Sequence, residues 1–114
     1  MKKKSKLPKP PKTFNDFCAR YPDLERAWEL INRAGETAGG LDEKTRRLIK
    51  LGISVGALRE GAIHSGVRKA SKMGISRRDI EQVVAMAAGT IGMPATVAAF
   101  SWVRDTLNDL KPRR

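Results

Sequence analysis

Between Leu41 and Ser76 the chain reads LDEKTRRLIKLGISVGALREGAIHSGVRKASKMGIS, and its apolar residues recur at helical spacing in two registers. Leu48, Leu51, Val55 and Leu58 make one row, and Ile49, Ile53 and Ala57 make a second. One row makes a surface helix; two make a helix covered on both sides. Gly52 and Gly56 stand four apart, as do Ala62, Gly66 and Ala70, a spacing that lets neighbouring backbones approach along a ridge. A mid-helix glycine costs about 1 kcal/mol relative to alanine, so this run demands either a break or a close contact. A break at Gly56 to Leu58 turns the stretch into a helical hairpin. Asp42 caps its first helix and Glu43 meets the positive end of the helix dipole. Arg68, Lys69 and Lys72 sit at the negative end of the second helix, and Gly74 takes the left-handed conformation that ends it.

A chain of 114 residues is expected to form one domain. Its 23 Lys and Arg against 12 Asp and Glu give a net charge of +11. That excess suggests nucleic acid or an acidic membrane surface as partner, until its distribution is examined. Six lysines without an acid fall in residues 1–12, and three bases without an acid fall in residues 111–114, which leaves +2 for residues 13–110. Residues 1–12 therefore read as a solvated, disordered Lys/Pro tail, with Pro8, Pro10 and Pro11 opposing a helix; residues 111–114 form a second basic tail. Cys18 is the only cysteine, so neither an intrachain disulfide nor a cysteine metal cluster is available. No apolar run approaches the length of a membrane span, and a cytoplasmic location is expected.

Outside the hairpin the same period continues. Thr13, with Asp16 three residues on, is a capping signal for a helix over FNDFCARY, whose Phe14, Phe17 and Tyr21 share a face. Cys18 has no histidine or lysine nearby to lower its pKa and reads as buried and inert. Pro22 suits the first position of the next helix, where Leu24, Ala27, Trp28 and Ile31 form a stripe widened by Leu30 and Ala34. Gly39 and Gly40 close that segment. Ser76 and Asp79 cap a helix from about Arg77, with Ile80, Val83, Val84, Ala87 and Ile91 on its inner face. A last helix is expected from about Pro94 to Leu110. No stretch alternates with period two, so the expectation is an all-α domain over 13–110. Its surplus of two-sided apolar helices implies a homo-oligomer.

The run from Leu41 to Ala88, followed by GMPA, resembles the carboxymuconolactone decarboxylase family, which includes alkylhydroperoxidase-D-like proteins. The resemblance covers about residues 20 to 108. It implies an alkylhydroperoxidase-D-like helical bundle built on the central hairpin, assembled as trimers or hexamers with sites near subunit contacts. It also implies either decarboxylation of a muconolactone or disulfide-based peroxide reduction. The redox branch carries a glutamate, a C-x-x-C pair and a histidine. In this chain those positions hold Arg47, Arg59 with Ala62, and Gly66, so dithiol chemistry has no groups to run on. The decarboxylase branch has its histidine at the Gly66 position, where this chain again has none.

What the hairpin does hold is Glu60, His64 and Arg68, four residues apart on one helix face. Imidazole suits general acid–base work at neutral pH. In an enzyme, His64 would shuttle a proton, Glu60 would orient it, and Arg68 with Arg59 would bind a small carboxylate or lactone. The same ladder is also a common surface or subunit-contact device. There is no Gly-rich phosphate loop, no histidine pair for zinc and no nucleophile elbow, so no cofactor or metal is implied. Three readings stay open: a cysteine-independent acid–base enzyme, a non-catalytic binding or structural member of the family, and a protein that binds nucleic acid or anionic membrane through its tails.

Overall fold

The computed structural model describes residues 10–110, and all of its regular structure there is α-helical. In order these are α1 (Pro10–Arg20), α2 (Pro22–Glu36), α3 (Glu43–Gly56), α4 (Glu60–Lys72), α5 (Arg77–Ile91) and α6 (Met93–Leu110). The chain divides after Leu41 into two compact units, the first carrying α1 and α2 and the second α3 to α6. None of the described helices is long and apolar enough to cross a membrane.

The first unit is a helical pair with very little interior. α1 begins at Pro10, ahead of the Thr13 start expected from the sequence. Pro10 and Pro11 are thus helical where they were expected to exclude a helix. The remaining tail positions, 1–9 and 111–114, lie outside the described residues. Pro22 opens α2 as expected. Phe14 packs against Trp28 with ring centroids 5.4 Å apart, and Phe17 against Tyr21 at 5.1 Å. Cys18 is buried, whereas α2 has no buried residue and its stripe stays open at Leu24, Leu30 and Ile31.

The second unit is a four-helix bundle in which α3 packs on α4 and α5, and α6 packs on the same two helices. Its core combines Leu51 and Val55 of α3 with Ile63, Val67 and Ala70 of α4. Ile80 and Val84 of α5 and Ala99, Val103 and Leu107 of α6 close it from the other side. Only one of the two apolar rows on α3 is used here. Ile49 and Ile53 of the second row face outward, 45% and 65% exposed. A Cβ at Gly52 would lie 3.7 Å from Val83 of α5, an ordinary van der Waals contact.

The caps at Asp42 and Ser76 fall where the sequence placed them, whereas Thr13 lies inside α1. Asp42 accepts from the amide of Thr45 at 2.8 Å, and Ser76 accepts from the amide of Asp79 at 3.1 Å. Bonds from Thr45 hold the Asp42 carboxyl below its ordinary value, helped by Arg46 and Lys44. A carboxyl whose folded pKa lies below its unfolded one stabilises the fold above the unfolded value, near 3.9, and ceases to as pH falls through the folded value. Asp42→Ala is therefore expected to lower the urea midpoint at pH 6, with the gap to wild type narrowing as pH drops below about 4. Parallel denaturation curves at the two pH values check this.

Candidate functional site

The site starts with the turn that joins α3 to α4. Ala57 closes α3, and Leu58 follows in the left-handed region at φ 51°. The Leu58 amide donates to the Val55 carbonyl and the Arg59 amide to the Ser54 carbonyl, both at 3.0 Å. This pair of bonds is a Schellman motif. The same motif ends α4, where Gly74 at φ 84° donates to Ser71 at 3.0 Å and Ile75 donates to Ala70 at 3.1 Å. The second turn uses glycine for its left-handed residue. The first uses leucine, whose Cβ crowds the following carbonyl at a cost of about 1–2 kcal/mol. The expected break is therefore in place, with its strain at Leu58, while Gly56 stays helical. Immediately after this turn Arg59 is the N-cap of α4 and Glu60 its first residue.

One turn into α4, His64 lies inside the bundle, 1% exposed. Its Nε2 is 3.1 Å from Oε2 of Glu60, and its Nδ1 is 2.5 Å from Oγ1 of Thr106 on α6. The Thr106 hydroxyl is 3.1 Å from the Trp102 carbonyl, to which it can donate. The Glu60 side chain remains 52% exposed. The sequence put the imidazole at the working end and the carboxylate behind it. The structure has the opposite order: Glu60 faces water and His64 backs it from the interior.

A carboxylate, an imidazole and a hydroxyl in sequence also make up the triad of serine-type acyl transfer. Thr106 cannot serve as its nucleophile, because it is fully buried at the α4–α6 contact and no substrate carbon can reach its oxygen.

Arg68 continues the α4 column but belongs to another neighbourhood. Burial pulls its guanidinium below the ordinary value, and the charge of Asp109 opposes that shift. His64 meets Thr106 and Arg68 feels Asp109, so α4 and α6 run in the same direction. Eight residues of helix place Arg68 about 12 Å along the axis from Glu60, and the two are not gathered at one end. Arg59 is exposed beside Glu60 at the start of α4.

The positions that the family resemblance pairs also come together. A Cβ at Gly66 would lie 3.3 Å from Cδ1 of Leu51 and 3.8 Å from Nη1 of Arg47. A guanidinium beside a glycine thus stands where the redox branch has its glutamate and histidine. Arg59 and Ala62, at the cysteine positions, are both exposed. Cys18 lies in the other unit, where burial pushes its thiol up and Glu25 and Glu29 push it further. That disfavours the reactive thiolate.

Thr106 was absent from the sequence-based site. Its signal was a hydroxyl on the buried α6 stripe of Ala99, Val103 and Leu107, a place where a polar group needs a partner.

A second surface feature is an open groove of about 650 Å³ between α3 and α5, lined by Leu48, Ile49, Gly52, Val83, Met86 and Ile91 among others. It does not include Glu60 or His64.

An all-α bundle built on a central helical hairpin is the architecture the resemblance implied. The family model for carboxymuconolactone decarboxylases matches residues 22–105, and the chain belongs to the carboxymuconolactone decarboxylase family. It is similar to an uncharacterized protein of Methanocaldococcus jannaschii, with 36% identity over 81 residues, covering 70% of this chain and 78% of the relative.

The left-handed Leu58 yields a direct test. Leu58→Gly is expected to raise the stability of the protein by up to about 1 kcal/mol, whereas the β-branched Leu58→Val lowers it by about as much. Urea denaturation of the three proteins gives the order.

Proposed function

We propose that this protein is the subunit of a homo-oligomeric enzyme doing acid–base chemistry, of the lyase or decarboxylase kind, on a small carboxylate or lactone without thiols. The observation that carries the reading is the 3.1 Å contact between a sealed imidazole and a half-exposed carboxylate. Glu60 is the group that exchanges a proton with substrate, and His64 holds and charges it from behind. Arg59, next in the chain and exposed, supplies positive charge for an anionic substrate. Arg68 is too far along α4 to share that task, and its half-buried guanidinium lies in the field of Asp109 on α6.

Decarboxylase-like and alkylhydroperoxidase-like activities both occur in this family. The redox alternative lacks support here, because Arg59 and Ala62 cannot form a disulfide and Cys18 has no second thiol. The competing reading is a scaffold without catalysis. It draws on one observation: both ring nitrogens of His64 are engaged by protein groups, so neither is presented to a ligand.

The proposed assembly rests on uncovered apolar surface. Ile49, Ile53, Met86, Met93 and Val97 are 45–73% exposed on the second unit, more than a monomer keeps without use. A second copy covering the α3–α5 groove would bury Ile49 and Met86.

Two measurements test the proposal. Against a panel of small β-keto carboxylates and unsaturated lactones, Glu60→Gln is expected to lower kcat/KM by about 10²–10⁴-fold, the usual contribution of a positioned acid or base. Cys18→Ser is expected to leave it unchanged. No turnover of the panel by the wild type favours the scaffold reading, and full activity in Glu60→Gln removes Glu60 from the reaction. In sedimentation velocity the wild type is expected as an oligomer, and Ile49→Glu with Met86→Glu as a folded monomer.

A further inference from the structure

We propose that Thr106 is the positioning residue of the Glu60–His64 pair: its hydroxyl turns between the Trp102 carbonyl and His64 Nδ1, so the sealed imidazole stays bonded with one proton or two.

The argument is a count of protons. Three contacts lie in a row: Glu60 Oε2 to His64 Nε2 at 3.1 Å, His64 Nδ1 to Thr106 Oγ1 at 2.5 Å, and Thr106 Oγ1 to the Trp102 carbonyl at 3.1 Å. Each needs one proton, and the hydroxyl has only one to give. When the ring carries two protons, Nε2–H donates to Glu60, Nδ1–H donates to the hydroxyl oxygen, and the hydroxyl donates to Trp102. All three contacts are then hydrogen bonds.

When the ring carries one proton, the charge-assisted bond to the carboxylate keeps it on Nε2. Nδ1 is then a bare acceptor, and the hydroxyl turns to donate to it. The Trp102 carbonyl gives up only a secondary bond, since a helix carbonyl at that position already accepts from the amide four residues on. No buried group is stranded in either state. That matters because the ring is 1% exposed and water cannot fill in for a missing partner.

The charges around the ring do not do this work for Thr106. On α4 itself Glu60 holds Nε2, and Arg68 lies a turn further on in the field of Asp109 of α6. On α3, Nη1 of Arg47 lies 3.8 Å from where a Cβ at Gly66 would be. The α5 residues in the shared core, Ile80 and Val84, are apolar. Only the Thr106 side chain meets Nδ1. Its role rests on the reading of Glu60 and His64 as an acid–base pair, but its geometry can be tested without a substrate.

His64 is the only histidine, so the two ring nitrogens of the ¹⁵N-histidine-labelled full chain are assigned without ambiguity. In an NMR titration the neutral wild-type ring is expected to carry its proton on Nε2, with Nδ1 as the nitrogen that gains one on acidification. Thr106→Ser, which keeps the hydroxyl, is expected to match the wild-type midpoint. Thr106→Val takes the partner of Nδ1 away in both states, and because the bond to the charged ring is the stronger of the two, the midpoint is expected to fall below that of the wild type. A neutral wild-type ring protonated on Nδ1, or a Thr106→Val midpoint equal to wild type, overturns the proposal. Should Thr106→Val fail to fold, the wild-type tautomer and the Thr106→Ser midpoint still decide it. If the titration behaves as expected while Glu60→Gln keeps full activity, the proposed reaction falls and the role of Thr106 stands.

Discussion

The close approach of α3 to α4 at Gly66 sets the arrangement of the second unit. With no side chain at that position, Cδ1 of Leu51 lies 3.3 Å from where a Cβ would be. That contact is tighter than an ordinary van der Waals separation, so a side chain at this position would require the tip of Leu51 to shift by a few tenths of an ångström. The face of α4 that meets this contact carries Ile63, Val67 and Ala70 into the core. His64 is one residue round from Ile63, about 100° on the helix, and this turns it toward α6, where it meets Thr106. The imidazole is therefore internal because of where its neighbours pack. A column of Glu, His and Arg on a helix would otherwise be at home on the surface.

Two kinds of residue end the helices that frame this contact, and the difference falls beside the site. The turn after α4 uses Gly74 and places Ile75 at the following position, buried against the core as a Schellman turn prefers. The turn before α4 uses Leu58 and places the exposed Arg59 there instead. The first is built for stability. The second accepts backbone strain and in return presents Arg59 and Glu60 together at the positive end of α4, where a carboxylate is favoured.

Helix count and boundaries in the second unit were legible because each rests on local chemistry. Asp42 and Ser76 accept amide bonds within three residues, and Gly74 needs only its own backbone freedom. The two apolar rows of α3 were also legible, but the sequence could not say that one row would serve the subunit core and the other stay open at Ile49 and Ile53. The start of α1 was misread because proline was treated as a barrier when a first turn tolerates it. In the site, the Glu60–His64 contact followed from the four-residue spacing. The burial of His64 and the part played by Thr106 did not, since they depend on a partner 42 residues away. Arg68 was grouped with Glu60 on spacing alone, whereas its environment is set first by burial, with the charge of Asp109 on α6 opposing that effect.

The order of burial in the pair bears directly on what it can do. An imidazole that gains a proton in a dry interior gains a charge there, which is costly unless a counter-charge and hydrogen bonds meet it. Glu60 supplies the counter-charge at 3.1 Å while keeping half of its own surface in water, so the pair as a whole is only partly desolvated. Were the order reversed, with the carboxylate inside and the ring outside, the buried anion would need its own cation whenever the ring was neutral. With the ring inside, the neutral state needs no counter-charge and the charged state has one ready.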